Sequence, residues 1–158
     1  MGKYEHFFKE ACEELCKATR NGEFTPHQEQ DIVCMLYKIL VEKTGDANEV
    51  HASSSWGYDL ILGQKRERKQ KDHSFCSNLV VEVKYVTSKG RLGRRLRFAE
   101  RDLEKLARRK ERSVGRVLVF FERESWSSDE QRQELRAKAK QYRPRIDVLF
   151  KSFTDHIR

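Results

Sequence analysis

Two carboxylates and a lysine near the middle of the chain have the types and spacing for phosphodiester chemistry. Glu82 and Lys84 stand two residues apart in the run Asn78 to Val86, which is rich in valine (Val80, Val81, Val83, Val86) and reads as a β-strand. On a strand they project from the same face. The run is apolar on both sides of its pleat, which predicts a central strand, where a charge is costly unless paired, metal-bound or facing a cleft. One hairpin upstream, Trp56-Gly57-Tyr58-Asp59-Leu60-Ile61-Leu62 places a single carboxylate in an otherwise apolar strand. Pairing of 58–63 with 78–86 would set Asp59 beside Glu82. With the Val83 backbone carbonyl, they would form an oxygen-rich, partly hydrated site of the sort Mg²⁺ or Mn²⁺ accepts. Such an ion neutralises charge developing on a phosphodiester and acidifies an attacking water. Lys84 beside it would orient that water or stabilise the pentavalent transition state. The plainer alternative is a Glu–Lys salt pair at a solvated strand end.

The charge distribution points the same way. The chain has 33 Lys and Arg against 25 Asp and Glu, a net of +8. From Lys84 to Arg112 there are 12 basic and 4 acidic residues, so that stretch alone carries a net of +8. Charge concentrated in this way suits a polyanion, and nucleic acid is the expected partner. Helical i, i+4 pairs such as Glu100–Glu104–Arg108 account for part of the stretch. They do not account for Arg91, Arg94, Arg95 and Arg97 around Gly90 and Gly93. Thr87 to Arg95 reads as a mobile basic loop, and Lys89, Arg91, Arg94, Arg95 and Arg97 are the expected phosphate contacts. GxxxxGK[ST] is absent, so this is not a P-loop.

The elements that must position these groups follow from periodicity. A chain of 158 residues with 37% apolar residues in distinct blocks predicts one folded domain. Tyr4, Phe7, Phe8, Ala11, Cys12, Leu15 and Ala18 form one face of a helix over 3–20, closed by Asn21-Gly22. Thr25-Pro26-His27-Gln28 reads as an N-cap, a first-position proline and a capping-box Gln. The helix it opens carries Ile32, Val33, Leu36, Ile39 and Leu40 inward and stops near Thr44-Gly45. Short strands are expected over 48–53 and 58–63, then a long polar hairpin loop from Gln64 to Ser77. Lys65, Arg66, Arg68, Lys69 and Lys71 make that loop a candidate basic flap. A helix over 97–112 offers Phe98, Leu103, Leu106 and Ala107 for packing. A buried strand over 117–121, a helix from Ser127-Ser128-Asp129-Glu130 to about Gln141, and a strand over 146–150 complete the order ααβββαβαβ. This is an α/β fold with a mixed β-sheet flanked by helices.

Residues Asp59, Glu82 and Lys84 together with this order resemble the PD-(D/E)xK nuclease superfamily. Its signature is an acid at a strand start, then (D/E)-x-K in the neighbouring strand. The resemblance implies a restriction endonuclease-like core of order αβββαβ over 25–121. A helical N-terminal extension over 1–22 and a C-terminal helix and strand over 127–152 would flank that core. Gly57-Tyr58 stands where the family proline would precede the first acid, and the gap to Glu82 is long. Many members add a Glu from the preceding helix, and Glu29, on the face of Ile32, Val33 and Leu36, is the candidate. A first-turn acid favoured by the helix dipole is the alternative for Glu29.

The resemblance implies a metal-dependent DNA endonuclease, resolvase-like or restriction-like, acting as a homodimer to cut two strands. Asp59, Glu82 and Val83 would hold the metal, with Lys84 and Glu29 completing the catalytic set. The alternative from the same residues is a catalytically inactive nuclease fold that binds nucleic acid or serves as an assembly subunit. An unrelated α/β protein whose basic helix binds a protein is a third reading. The charged start and the lack of any run near the roughly 18 apolar residues of a membrane span predict a cytoplasmic protein. Cys12, Cys16, Cys34 and Cys76 lack zinc-ligand spacing and read as reduced, mostly buried thiols. His51 is expected at the surface, Tyr85 in the core and Trp56 under the hairpin.

Overall fold

A computed structural model describes residues 2–52, 57–66, 74–108 and 114–154, with the side chains of 65, 66 and 74–77 outside the described set. Helix α1 spans Lys3–Arg20 and α2 spans Glu29–Thr44. Strands β1 (Val50–Ala52), β2 (Leu60–Arg66) and β3 (Ser74–Val86) follow. Helix α3 (Leu92–Ala107), β4 (Gly115–Glu122), α4 (Asp129–Lys140) and β5 (Asp147–Ser152) come next among the described residues. The five strands lie in sequence order in one mixed sheet. Strands β1, β2 and β3 are antiparallel, while β3, β4 and β5 run parallel, joined by α3 and α4. The valine-rich run is thus the central strand, with apolar side chains buried on both faces.

Alternation along the strands divides the core. Leu60, Leu62, Leu79, Val81, Val83, Tyr85, Val119 and Phe121 pack on α1 and α2. Ile61, Val80, Val86, Leu118 and Phe120 pack on α3 and α4 through Ala99, Leu103, Leu106, Leu135 and Ala139. Arg116 is buried at the foot of β4 and donates from Nε to the Leu106 carbonyl at 3.0 Å, satisfying the end of α3. Ser128 caps α4 as expected, accepting from Gln131 N–H. Gly45, in the left-handed region at φ 74°, closes α2. No helix among the described residues is long and apolar enough to cross a membrane.

Several boundaries depart from expectation. Helix α2 begins at Glu29 rather than Pro26, because the Asp31 carboxylate accepts from both His27 N–H (2.8 Å) and Gln28 N–H (3.0 Å). A charged acceptor of two amides outcompetes the expected Thr25 cap. The 64–77 segment is not all loop, since β2 runs to Arg66 and β3 begins at Ser74. Basic residues Arg68, Lys69 and Lys71, the side chains of Lys65, Arg66 and Cys76, and Trp56 lie outside the described residues. The Thr87–Arg95 stretch is largely helical, with a 3-10 turn over Lys89–Arg91 leading into α3. The buried stripe Leu92, Ala99, Leu103 and Leu106 drives that earlier start. Phe98 lies outside the core, with the Arg94 and Arg101 guanidinium groups 5.2 and 5.7 Å from its ring centroid. Cys12 and Cys16 are buried, but Cys34 is exposed on the outer face of α2.

Candidate active site

The antiparallel register of β2 and β3 pairs Leu60 with Val81, so Asp59 falls opposite Glu82 one step further on. The half-buried Asp59 carboxylate is anchored there, since Val83 N–H donates to Oδ2 at 2.7 Å. Glu82 is 2% exposed and lies on the α3 face of the sheet. Its Oε1 is 2.5 Å from the Lys105 ammonium but has no aligned hydrogen bond. Burial pushes the Glu82 carboxyl up to about 8. Lys105 works against that rise, and the Asp59 and Asp102 charges add to it.

Lys84 shares this face and is 7% exposed. Three protein oxygens surround its ammonium: Asp102 Oδ2 at 2.9 Å, the Val83 carbonyl at 2.9 Å and Glu29 Oε1 at 3.4 Å. Burial draws its pKa down, but Glu29 and Asp102 outweigh this and hold it above the usual lysine range. Glu29 reaches over the carboxyl end of β3, where Oε2 accepts from Tyr85 N–H at 3.1 Å and from Arg95 at 3.3 Å. The first-turn acid therefore contacts the end of β3 as well as sitting at a helix N-terminus.

The four expected acidic and basic groups, Asp59, Glu82, Lys84 and Glu29, are thus brought to one place. Two partners were not legible beforehand: Asp102 and Lys105, three residues apart on one face of α3. In the sequence they look like part of a solvated charged helix. Their only signal is that spacing beside Leu103 and Leu106. Among the expected phosphate contacts, Lys89, Arg91, Arg94 and Arg97 are exposed and Arg95 is half-buried against Glu29. Arg91, Arg94, Arg95 and Phe98 line a hollow at the start of α3. His51 is exposed, its Nε2 3.2 Å from the Asn48 carbonyl. The Tyr85 ring is buried and its hydroxyl donates to the Pro26 carbonyl at 3.2 Å.

Among the described residues, no three His, Cys, Asp or Glu side chains are arranged to hold a metal ion. The donor chemistry nevertheless fits a hydrated hard cation. Asp59 and Glu82 are cross-strand neighbours, and Glu82 Oε1 lacks an aligned donor and is met only by a positive charge. Mg²⁺ is commonly held by one or two carboxylates with water and phosphate oxygens filling the rest. Comparisons with protein-family models, curated proteins and solved structures find no match.

Proposed function

We propose that this chain is a metal-dependent nuclease of the PD-(D/E)xK kind, a DNA endonuclease of resolvase-like or restriction-like type. The observation that carries the reading is the cross-strand Asp59–Glu82 pair with Lys84 and Glu29 at the same end of β3. The run α2-β1-β2-β3-α3-β4 supports it as well, since it has the αβββαβ order of that superfamily's core. The N-termini of α2 and α3 and the exposed Arg91 and Arg94 add positive potential beside the carboxylates. Asp59 and Glu82 would hold Mg²⁺ or Mn²⁺, while the Val83 carbonyl expected as a third ligand accepts from Lys84 instead, and the ion would neutralise phosphate charge and acidify water. Glu29 fixes the end of β3 through Tyr85 N–H and shares the charge of Lys84 with Asp102. In the reaction a water oxygen adds to phosphorus and the P–O bond to one sugar breaks. The departing oxygen takes up a proton from the water, so a phosphomonoester and an alcohol result.

A second reading draws on the ion pairs themselves. Lys105 covers Glu82 and Asp102 neutralises Lys84, which suits a catalytically inactive fold that binds nucleic acid or serves as an assembly subunit. Incubation with supercoiled, linear and branched DNA and with RNA, with and without Mg²⁺ or Mn²⁺, separates the two. Under the nuclease reading, Asp59→Ala and Glu82→Ala abolish metal-dependent cutting and keep most salt-sensitive binding. Binding by the parent without cutting of any substrate would favour the inactive fold.

A further inference from the structure

We propose that Lys105, not Lys84, is the lysine that meets the scissile phosphate. This rests on the nuclease reading above and reassigns one role within it. An ammonium has three N–H donors and no acceptor. At Lys84 three protein oxygens lie within 3.4 Å, two of them from the carboxylates of Asp102 and Glu29, and the side chain is 9% exposed. A phosphate oxygen would have to displace one of them, and displacing either carboxylate would cost a partly buried acid, Asp102 or Glu29, part of its compensation. Lys84 is therefore the positive centre that holds α2, β3 and α3 together.

Lys105 has the opposite environment. Its side chain is 40% exposed, and its ammonium meets one carboxylate oxygen, Glu82 Oε1, and lies 5.2 Å from the Tyr58 ring centroid. Tyr58 is the residue before Asp59, so both contacts keep the partly exposed Lys105 at the Asp59–Glu82 end of the paired strands. A carboxylate has about four acceptor sites. Glu82 can therefore keep Lys105 on one oxygen and still serve a cation. An N–H of Lys105 would then point to a non-bridging phosphate oxygen while water adds to phosphorus and the sugar oxygen departs. The ammonium donates a hydrogen bond and stays protonated, so the hydrolysis remains balanced as written. The three-residue spacing of Asp102 and Lys105 lets one helix face occupy Lys84 and supply its substitute.

The test compares Lys105→Met, Lys105→Arg and Lys84→Met on supercoiled plasmid with Mg²⁺, alongside thermal melts. Lys105→Met should lower kcat about 100-fold or more with KM nearly unchanged, the loss expected for one transition-state donor. Lys105→Arg, which keeps the charge on Glu82, should recover part of that loss. Lys84→Met should lower Tm. A second readout needs no turnover: amine acetylation of the parent in EDTA, read by mass spectrometry with and without a DNA duplex. Lys105 should label readily and be protected by the duplex, while Lys84 stays unreactive in both states. Should Lys105→Met fail to fold, Lys105→Arg and the labelling decide. A Lys105→Met protein that cuts at the parent rate, or a duplex that protects Lys84 and not Lys105, would overturn the assignment and leave the nuclease reading intact. A parent that cuts nothing with either metal overturns both.

Discussion

Replacing Glu82 by Gln should remove most of a pH dependence that this one residue imposes on folding. Burial lifts the Glu82 carboxyl from an ordinary 4.5 to about 8. Between those values the folded protein keeps a proton that the unfolded chain has released, so stability falls as pH rises. The contribution is fully present below 4.5 and gone once pH passes about 8. At about 1.4 kcal/mol per pH unit, the window amounts to several kcal/mol. That is a large share of the roughly 5–15 kcal/mol that holds a domain together. Glutamine keeps the shape and stays neutral. Urea unfolding from pH 5 to 8 should therefore show the parent losing stability relative to Glu82→Gln across this range. Subtracting the variant removes the titration of the histidines and other carboxylates. Mg²⁺ added at pH 8 should restore part of the parent's loss and none of the variant's. A parent-minus-variant difference that stays flat from pH 5 to 8 would refute the reasoning.

Further outcomes follow from the same contacts. Arg94→Ala should weaken nucleic-acid binding for all sequences and lower the salt slope by about one unit. Arg95→Ala should also lower Tm, because Arg95 pairs with Glu29; gel-shift titrations over salt and a melt distinguish them. Glu122→Ala should cost about 2–3 kcal/mol in urea unfolding, since the 1%-exposed carboxylate accepts from Trp126 and Ser127 N–H and pairs with Arg132. Gly45→Ala should cost about 1 kcal/mol by the same measurement, from a left-handed φ of 74° that a Cβ disfavours.

Much of the frame was readable because periodicity reports burial locally. The apolar stripe of α1 and the two-sided valines of β3 each left an unambiguous trace. So did the continuous run Val117-Leu118-Val119-Phe120-Phe121 of β4. Helix α3 was harder. Gly90 and Gly93 have low helix propensity, and the arginines between and after them looked like a loop. The cost of Gly93 is outweighed in the fold by the packing of Leu92, Ala99, Leu103 and Leu106, a tertiary gain that propensity does not include. The start of α2 slipped for a similar reason: Thr25 is a competent cap by type, and only the folded chain shows that the Asp31 carboxylate takes the His27 and Gln28 amides.

The order of elements, the central place of β3 and the common face of Glu82 and Lys84 follow from residue pattern alone. The same pattern makes Asp59 the one upstream carboxylate able to stand beside Glu82. Those rest on side-chain alternation and hairpin pairing, which are local. The packed fold set who partners whom. It set Asp102 on Lys84 and Lys105 on Glu82 because α3 crosses back over that face of the sheet. Contacts between residues about 20 apart in sequence depend on that crossover, and no spacing within the chain encodes them. The charge balance of the site, and with it the division of labour between its two lysines, is a property of the packed layers.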